Sequence, residues 1–323
     1  MNAQVALRQT ETFWLQWTGK SQYTGAWKDA VERSLITLKA LTYRPSGSIV
    51  AAPTTSLPER IDSDRNWDYR YCWLRDGAFT LESLLSVGYH EEAKAWQQWL
   101  LQSIGSDVGQ MQIVYGMHGE RHLPECKLPW LRGYASSAPV RIGNEASEQL
   151  QLDVYGEVAD AIVTMKRAKL HVDPRLLRIQ EKLTDYVARI CHQRTSGIWE
   201  RRGKQRQFTY SKVMAWLALN HGVEAAKRHE IQGVASRWGR VRNRLHREIC
   251  QRGFNKSSGS FVQSYGSQTL DASSLLIPIF GFLPFDDERV CGTIRSVERH
   301  LMRNGFVHRL KAESKQESEA SFL

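Results

Sequence analysis

The rhythm of apolar residues limits the fold of this chain more than anything else. They recur at helical spacing in one segment after another, and long irregular connections separate the segments. Over about 24–41, Ala26, Trp27, Ala30, Val31, Leu35, Leu38 and Leu41 fall on one helix face. A second helix is predicted from about Asp76, with Ala78, Phe79, Leu81, Leu84 and Leu85 as its apolar set and Gly88 as its stop. A third runs from His90 to about Ile104. Helices resume at about 148–170, 174–194, 208–227 and 230–251, another begins near 270–272, and one covers about 286–304. Pro174 and the pair Asp286-Asp287 sit where helix N-termini favour them. Residues 105–146 are a long irregular insertion punctuated by Gly and Pro, in which 114–116 and 139–143 could form short strands or a hairpin. A loop region this long between helices is usually functional. No repeat of short period occurs. The order is compatible with paired helices closing into an all-α toroid whose loops gather at one end. Periodicity alone equally allows a helical bundle or a solenoid.

Composition narrows the function classes. The chain has 323 residues, enough for about two domains or one large helical toroid. Its 41% hydrophobic and 24% charged residues are those of an ordinary globular chain. The formal net charge of +10 would suit a nucleic-acid partner, but the Lys and Arg are scattered and no helix-turn-helix, finger or single-strand signature accompanies them. We therefore expect no nucleic acid as partner and read the charge as a solvated basic face. The five Cys (72, 126, 191, 250, 291) are odd in number and widely spaced, with no CxxC and no Cys/His set at zinc spacing. Reduced thiols in a cytoplasm fit best, and no metal is expected. The N-terminus leads into no apolar signal region, and no run of 18 apolar residues occurs, so no membrane partner is expected.

The chemistry concentrates in the connections. Residues 65–76 pack Trp67, Tyr69, Tyr71 and Trp73 among Asn66, Asp68, Arg70, Arg75 and Asp76. In an extended strand the four aromatic rings would share one face. Arg75 and Asp76, a cation beside an anion at a loop-to-helix junction, can hold two neighbouring hydroxyls, one by donation and one by acceptance. Sugars present such hydroxyl pairs, with an apolar ring face that stacks on Trp or Tyr. A capping Asp beside a surface Arg is the plainer reading of the same pair. In Trp199-Glu200 a carboxyl pressed against an indole is poorly solvated, which raises its pKa as a general acid requires. Arg201 and Arg202 follow, and would lower that pKa if they pointed inward. Gln149, Asp153 and Glu157 share one face of a predicted helix that also contains Gly156, which hints at close packing or ligand approach; Glu145 and Glu148 are further carboxylates nearby. Residues 261–267 form a polar-aromatic loop before Asp271-Ala272-Ser273.

Taken in order, segments 37–43, 51–59, 65–76, 149–158, 197–200, 208–212 and 269–273 resemble the bacterial-type branch of glycoside hydrolase family 15, the glucoamylases, glucodextranases and trehalases. The resemblance covers about residues 11–323. It implies a single (α/α)6 toroid of the six-hairpin glycosidase type over 1–323, and an inverting reaction that cuts glucose from the non-reducing end of an α-glucoside without metal or organic cofactor. It carries a glucose-holding role to Trp73, Arg75 and Asp76 and the general acid to Glu200, beside Trp199. Asn66, Trp67 and Tyr71 are expected to line the same pocket, and Tyr134 to belong to the loop that meets the leaving group.

Two departures from the family pattern shape the expectations. The N-terminal β-sandwich common in this branch and the last toroid helices are expected to be absent. The general-base glutamate belongs to a motif further on than Leu323, which leaves Glu319, ahead of Glu313 and Glu317, as a substitute base. Activity would then be reduced or lost, and the alternative is a split-gene fragment or a sugar-binding relic. The expected partner is trehalose, maltose, isomaltose or a longer α-glucan, and the oligomeric state is open.

Overall fold

The computed structural model describes residues 2–200 and 202–310. Among them are nine α-helices: α1 (Ala3–Thr18), α2 (Lys28–Ala40), α3 (Leu74–Ser86), α4 (His90–Ile104), α5 (Asp153–Arg167), α6 (Pro174–Ile190), α7 (Thr209–Lys227), α8 (Ala235–Arg252) and α9 (Glu288–Leu301). They form two layers, and the sequence dictates which helix joins which. The helix α7 is apolar or small around its whole circumference and is buried almost throughout. It lies between α5 on one side and α8 and α6 on the other, and α3 packs against the far side of α5. Helices α6 and α8 carry Arg, Lys and Glu on one face and bury only the other, as an outer layer requires.

The connections then explain where the site must be. Short turns join α3 to α4, α5 to α6 and α7 to α8, so each pair is a hairpin of one inner and one outer helix. The links between hairpins are long: 105–152, 191–208 and 253–287. Each begins at the end of an outer helix, and the first two lead straight into the start of an inner one. The long loops therefore gather at the end where α3, α5 and α7 begin. This is the toroid arrangement rather than a solenoid or an up-down bundle.

Close approach of the inner helices depends on one residue. A Cβ at Gly156 of α5 would lie 2.4 Å from the carbonyl oxygen of Met214 in α7. The main core fills the space between layers with Trp96, Trp99, Tyr115, Tyr155, Leu74, Leu81 and Leu100 among its largest members. A second cluster seats α1 and α2 on the first hairpin: Trp17 stacks on Tyr89 at 4.2 Å, and its indole nitrogen donates to Glu92, which also takes Lys39 at 2.7 Å.

The sequence expectations are met for most helices and corrected at several places. No helix was expected over 3–18. The helix expected near 270–272 is a short 3-10 turn, Ala272–Leu276. The one expected from 148 starts at Asp153, because Glu145–Glu148 is itself a separate 3-10 turn. Both strands expected within 105–146 are present, but they do not pair with each other. Val114–Tyr115 pairs with Cys72–Trp73, and Val140–Ile142 with Cys126–Leu128, all antiparallel. Among the described residues no helix is long and apolar enough to cross a membrane.

Candidate active site

Pairing of Trp73 with Val114 delivers the chain into the first turn of α3, where Arg75 and Asp76 stand. A carboxylate is favoured there by the positive end of the helix. From the other side comes the turn 197–200, closed by a hydrogen bond from the Glu200 amide to the Gly197 carbonyl at 3.1 Å. Gly197 has φ 75° and a Cβ there would strike the ring of Phe208, so only glycine fits. Arg75 joins the two segments. Its Nη1 donates to the Ile198 carbonyl at 2.9 Å and to Glu200 Oε1 at 3.2 Å, and its Nη2 lies 3.1 Å from Asp76 Oδ2. The turn is also held from beneath: Ser196 donates to the Leu150 carbonyl, and Gln149, steadied by Gln151, donates to the Glu200 carbonyl at 3.3 Å.

These contacts set the electrostatics. The Glu200 side chain is 20% exposed. Its enclosure raises its pKa above the usual carboxylate value; Arg75 pulls it down, Asp76 pushes it back up, and the Trp73 indole N–H lowers it slightly. Burial alone would lower the Arg75 pKa, but Asp76, then Glu200, Glu157 and Asp153, hold the guanidinium charged. The cation is thus shared among carboxylates, and the net direction at Glu200 is upward. Behind this group on α5, Asp153 accepts from Ser211 at 2.7 Å, and burial raises both Asp153 and Glu157.

Trp199 is fixed as firmly as its neighbour. Its indole nitrogen donates to both oxygens of Asp271 at 3.0 Å, while Asp271 caps the 272–276 turn through Ser273 N at 2.9 Å and Ser273 Oγ at 2.7 Å. The Arg309 guanidinium covers the Trp199 ring at 5.0 Å. Tyr69 lies 5.9 Å from the Trp73 ring and donates to Glu59 at 3.1 Å; burial, then Glu59, raises its pKa. Neither Tyr69 nor Asp271 was singled out for the pocket from sequence. Tyr69 was visible as a member of the alternating aromatic run, and Asp271 as part of a helix-start motif.

The structure thus brings Trp73, Arg75, Asp76 and Glu200 together, with Trp199 beside them. The other expected pocket residues take different places. Asn66 is fully buried, and its Nδ2 donates to the carbonyls of Ser137 and Pro139, so it braces a loop. Two guanidiniums lie over the Trp67 ring, Arg141 at 4.6 Å and Arg202 at 4.2 Å. Tyr71 does not follow Tyr69 and Trp73. Only Cys72–Trp73 is a strand, and the Tyr71 hydroxyl is turned toward Asp68 and the Gly143 amide. Tyr134 is 62% exposed on the 134–136 turn. Glu319, with Glu313 and Glu317, lies outside the described residues. No group of His, Cys, Asp and Glu among the described residues is arranged to hold a metal ion.

Comparison with known proteins agrees with this layout. The sequence signature described as glycosyl hydrolases family 15 matches residues 25–323. A trehalase of Thermoplasma volcanium is 37% identical over 321 residues, covering 99% of this chain and 51% of that protein. A trehalase of Mycobacterium tuberculosis is 37% identical over 307 residues, covering 94% of this chain and 45% of that one. The chain therefore spans about half the length of the curated relatives it matches. Among solved structures, a bacterial glucoamylase complexed with acarbose superposes with a TM-score of 0.66 at 16% identity, over 90% of this chain and 44% of that one.

Proposed function

The chain belongs to glycoside hydrolase family 15, and from that premise we propose that its site hydrolyses a terminal α-glucosidic bond with inversion, Glu200 acting as general acid. The observation that carries this reading is the Arg75 bridge: one guanidinium ties a raised-pKa carboxyl to Asp76, with Trp73 and Trp199 beside them. Glucose enters with its apolar ring face against the half-buried Tyr69, which the buried Trp73 backs. Arg75 donates to one hydroxyl and Asp76 accepts from its neighbour, which fixes the ring below the acid. Glu200 gives its proton to the glycosidic oxygen as the bond to C1 breaks, and the leaving sugar departs as a neutral alcohol. Water attacks C1 from the opposite face and passes its proton to a second carboxylate, roughly 6.5–9.5 Å from the first in an inverting enzyme. We assign that base to none of the described residues.

Trehalose is the first substrate to test, because the relatives at 37% identity are named trehalases. Maltose and isomaltose are the rivals. The test is kcat/KM on all three, with the anomer of the first-formed glucose read by NMR. We expect trehalose to lead by about tenfold or more, a margin that contacts in the leaving-group pocket can supply, with α- and β-glucose formed in equal amounts from it, since only the attacked C1 inverts and the leaving glucose keeps its α configuration. A cooperatively folded protein that releases no glucose from any of them would leave only sugar binding. α-Glucose as the sole first product from trehalose would overturn inversion.

A further inference from the structure

Arg202 lies two residues beyond Glu200, and the pocket described above does not use it. Its guanidinium is folded back over one face of Trp67 at 4.2 Å. It donates to Glu125 Oε2 and lies 3.4 Å from Glu145. Arg141 also lies over the Trp67 ring, at 4.6 Å, and its Nε is 3.1 Å from the other oxygen of Glu125. Arg141 is itself buried and donates to the Asp64 carbonyl at 2.6 Å. Trp67, Arg141 and Glu125 are therefore a fixed platform, and Arg202, 44% exposed, is the part that closes onto it.

Glu200 needs such an anchor. Its φ is 53°, in the left-handed region that an L side chain holds only where the surroundings impose it. Gln149 holds the Glu200 carbonyl from one side. Among the described residues after Glu200, the backbone is next held at Arg206, which pairs with Thr195 at 2.9 and 3.0 Å, and residues 202–206 are exposed. We propose that Arg202 is a positioning residue: closed over Trp67 and tied to Glu125, it fixes the loop that carries the catalytic acid. The same contacts turn its charge toward Glu125 and Glu145, leaving Arg75 as the cation that Glu200 touches. Only the catalytic part of this proposal rests on the hydrolase reading.

The experiment compares the full chain with Arg202→Gln and Glu125→Gln. Each is digested briefly with trypsin under native conditions, with cuts after Lys204 and Arg206 followed by mass spectrometry, and each is assayed for glucose release. We expect both variants to be cut about tenfold faster at these sites. We also expect kcat to fall about 10–100-fold with KM within about twofold, since a 1 Å displacement of a reacting group can cost about 10²-fold. Arg202→Lys restores part of the kcat, because a lysine still covers the ring but loses the fork that reaches Glu125 and Glu145 together. Thermal melts within a few degrees of wild type confirm that the fold is intact. Arg202→Gln keeps the test decisive if the buried Glu125→Gln unfolds. Cleavage unchanged in Arg202→Gln would overturn the proposal. So would a raised KM with unchanged kcat, which would mean that Arg202 contacts sugar. If wild type itself turns over no α-glucoside, the hydrolase reading fails, and the cleavage rates still decide whether the clamp exists.

Discussion

Two mid-helix glycines should respond to the same substitution with opposite signs. Gly156 in α5 faces the inner helix α7, where an added Cβ would sit 2.4 Å from Met214 O and 2.9 Å from that residue's C and Cα. Ordinary contact begins near 3.4 Å, so Gly156→Ala leaves the helices about 1 Å too close. Backbone cannot rotate away as a side chain can, which puts the cost at the upper end of overpacking, about 3 kcal/mol. Alanine's better helix propensity returns about 1 kcal/mol. The net loss of about 2 kcal/mol lowers Tm by about 4 °C in a chain of this size. Gly239 in the outer helix α8 has nothing within 4 Å of the same methyl. Gly239→Ala should therefore stabilise by about 0.5–1 kcal/mol, raising Tm by about 1–2 °C. Thermal unfolding by circular dichroism, checked by urea midpoints, measures both. Shifts of the same sign, or a Gly156→Ala protein as stable as wild type, would refute the assignment of α5 and α7 to a tightly packed inner layer.

Asp271→Asn keeps the side chain's shape but removes the charge that receives the Trp199 indole and Ser273. It should cost about 1–3 kcal/mol of stability and lower kcat about tenfold, checked by melts and initial rates. Burial first, and Asp153 next, raises the Glu157 pKa, so the folded chain binds that proton more tightly than the unfolded one. Its contribution is complete below the unfolded value of about 4.3 and is lost as pH rises through the folded pKa. Wild type should therefore lose stability relative to Glu157→Gln as pH rises above about 4.3 toward the raised folded value. Parallel pH–Tm curves for the two proteins would contradict this.

The fold was legible wherever burial is periodic. The helices α4, α6, α7 and α8 follow apolar patterns in the sequence, and the order of helices and loops was compatible with loops that share one end, though equally with a bundle or solenoid. The helix α1 was not legible, because Trp17 is its one buried residue and its seat, the Tyr89 ring and the Glu92 carboxylate, is more than 70 residues away. The site was legible where neighbours in sequence act together, as Arg75 and Asp76 do, and Trp199 and Glu200. It was not where the partner is remote. Alternation put Trp67 and Tyr71 on one face with Tyr69 and Trp73, and the family resemblance added them to the pocket, but the strand is only two residues long, and Trp67 is claimed by Arg141 and Arg202 from other segments. Asp271 read correctly as a helix cap, and the Trp199 indole that it also receives comes from 72 residues upstream.

The decisive measurement compares Glu200→Gln with wild type on trehalose and on α-glucosyl fluoride. Fluoride leaves without being protonated, so a lost general acid should matter for the first substrate and hardly for the second. If Glu200 is the acid, the variant's rate on trehalose falls by about 10²–10⁴-fold while its rate on the fluoride falls less than about tenfold. Equal losses on both substrates, or no loss on trehalose, would mean that Glu200 does something other than protonate the leaving oxygen.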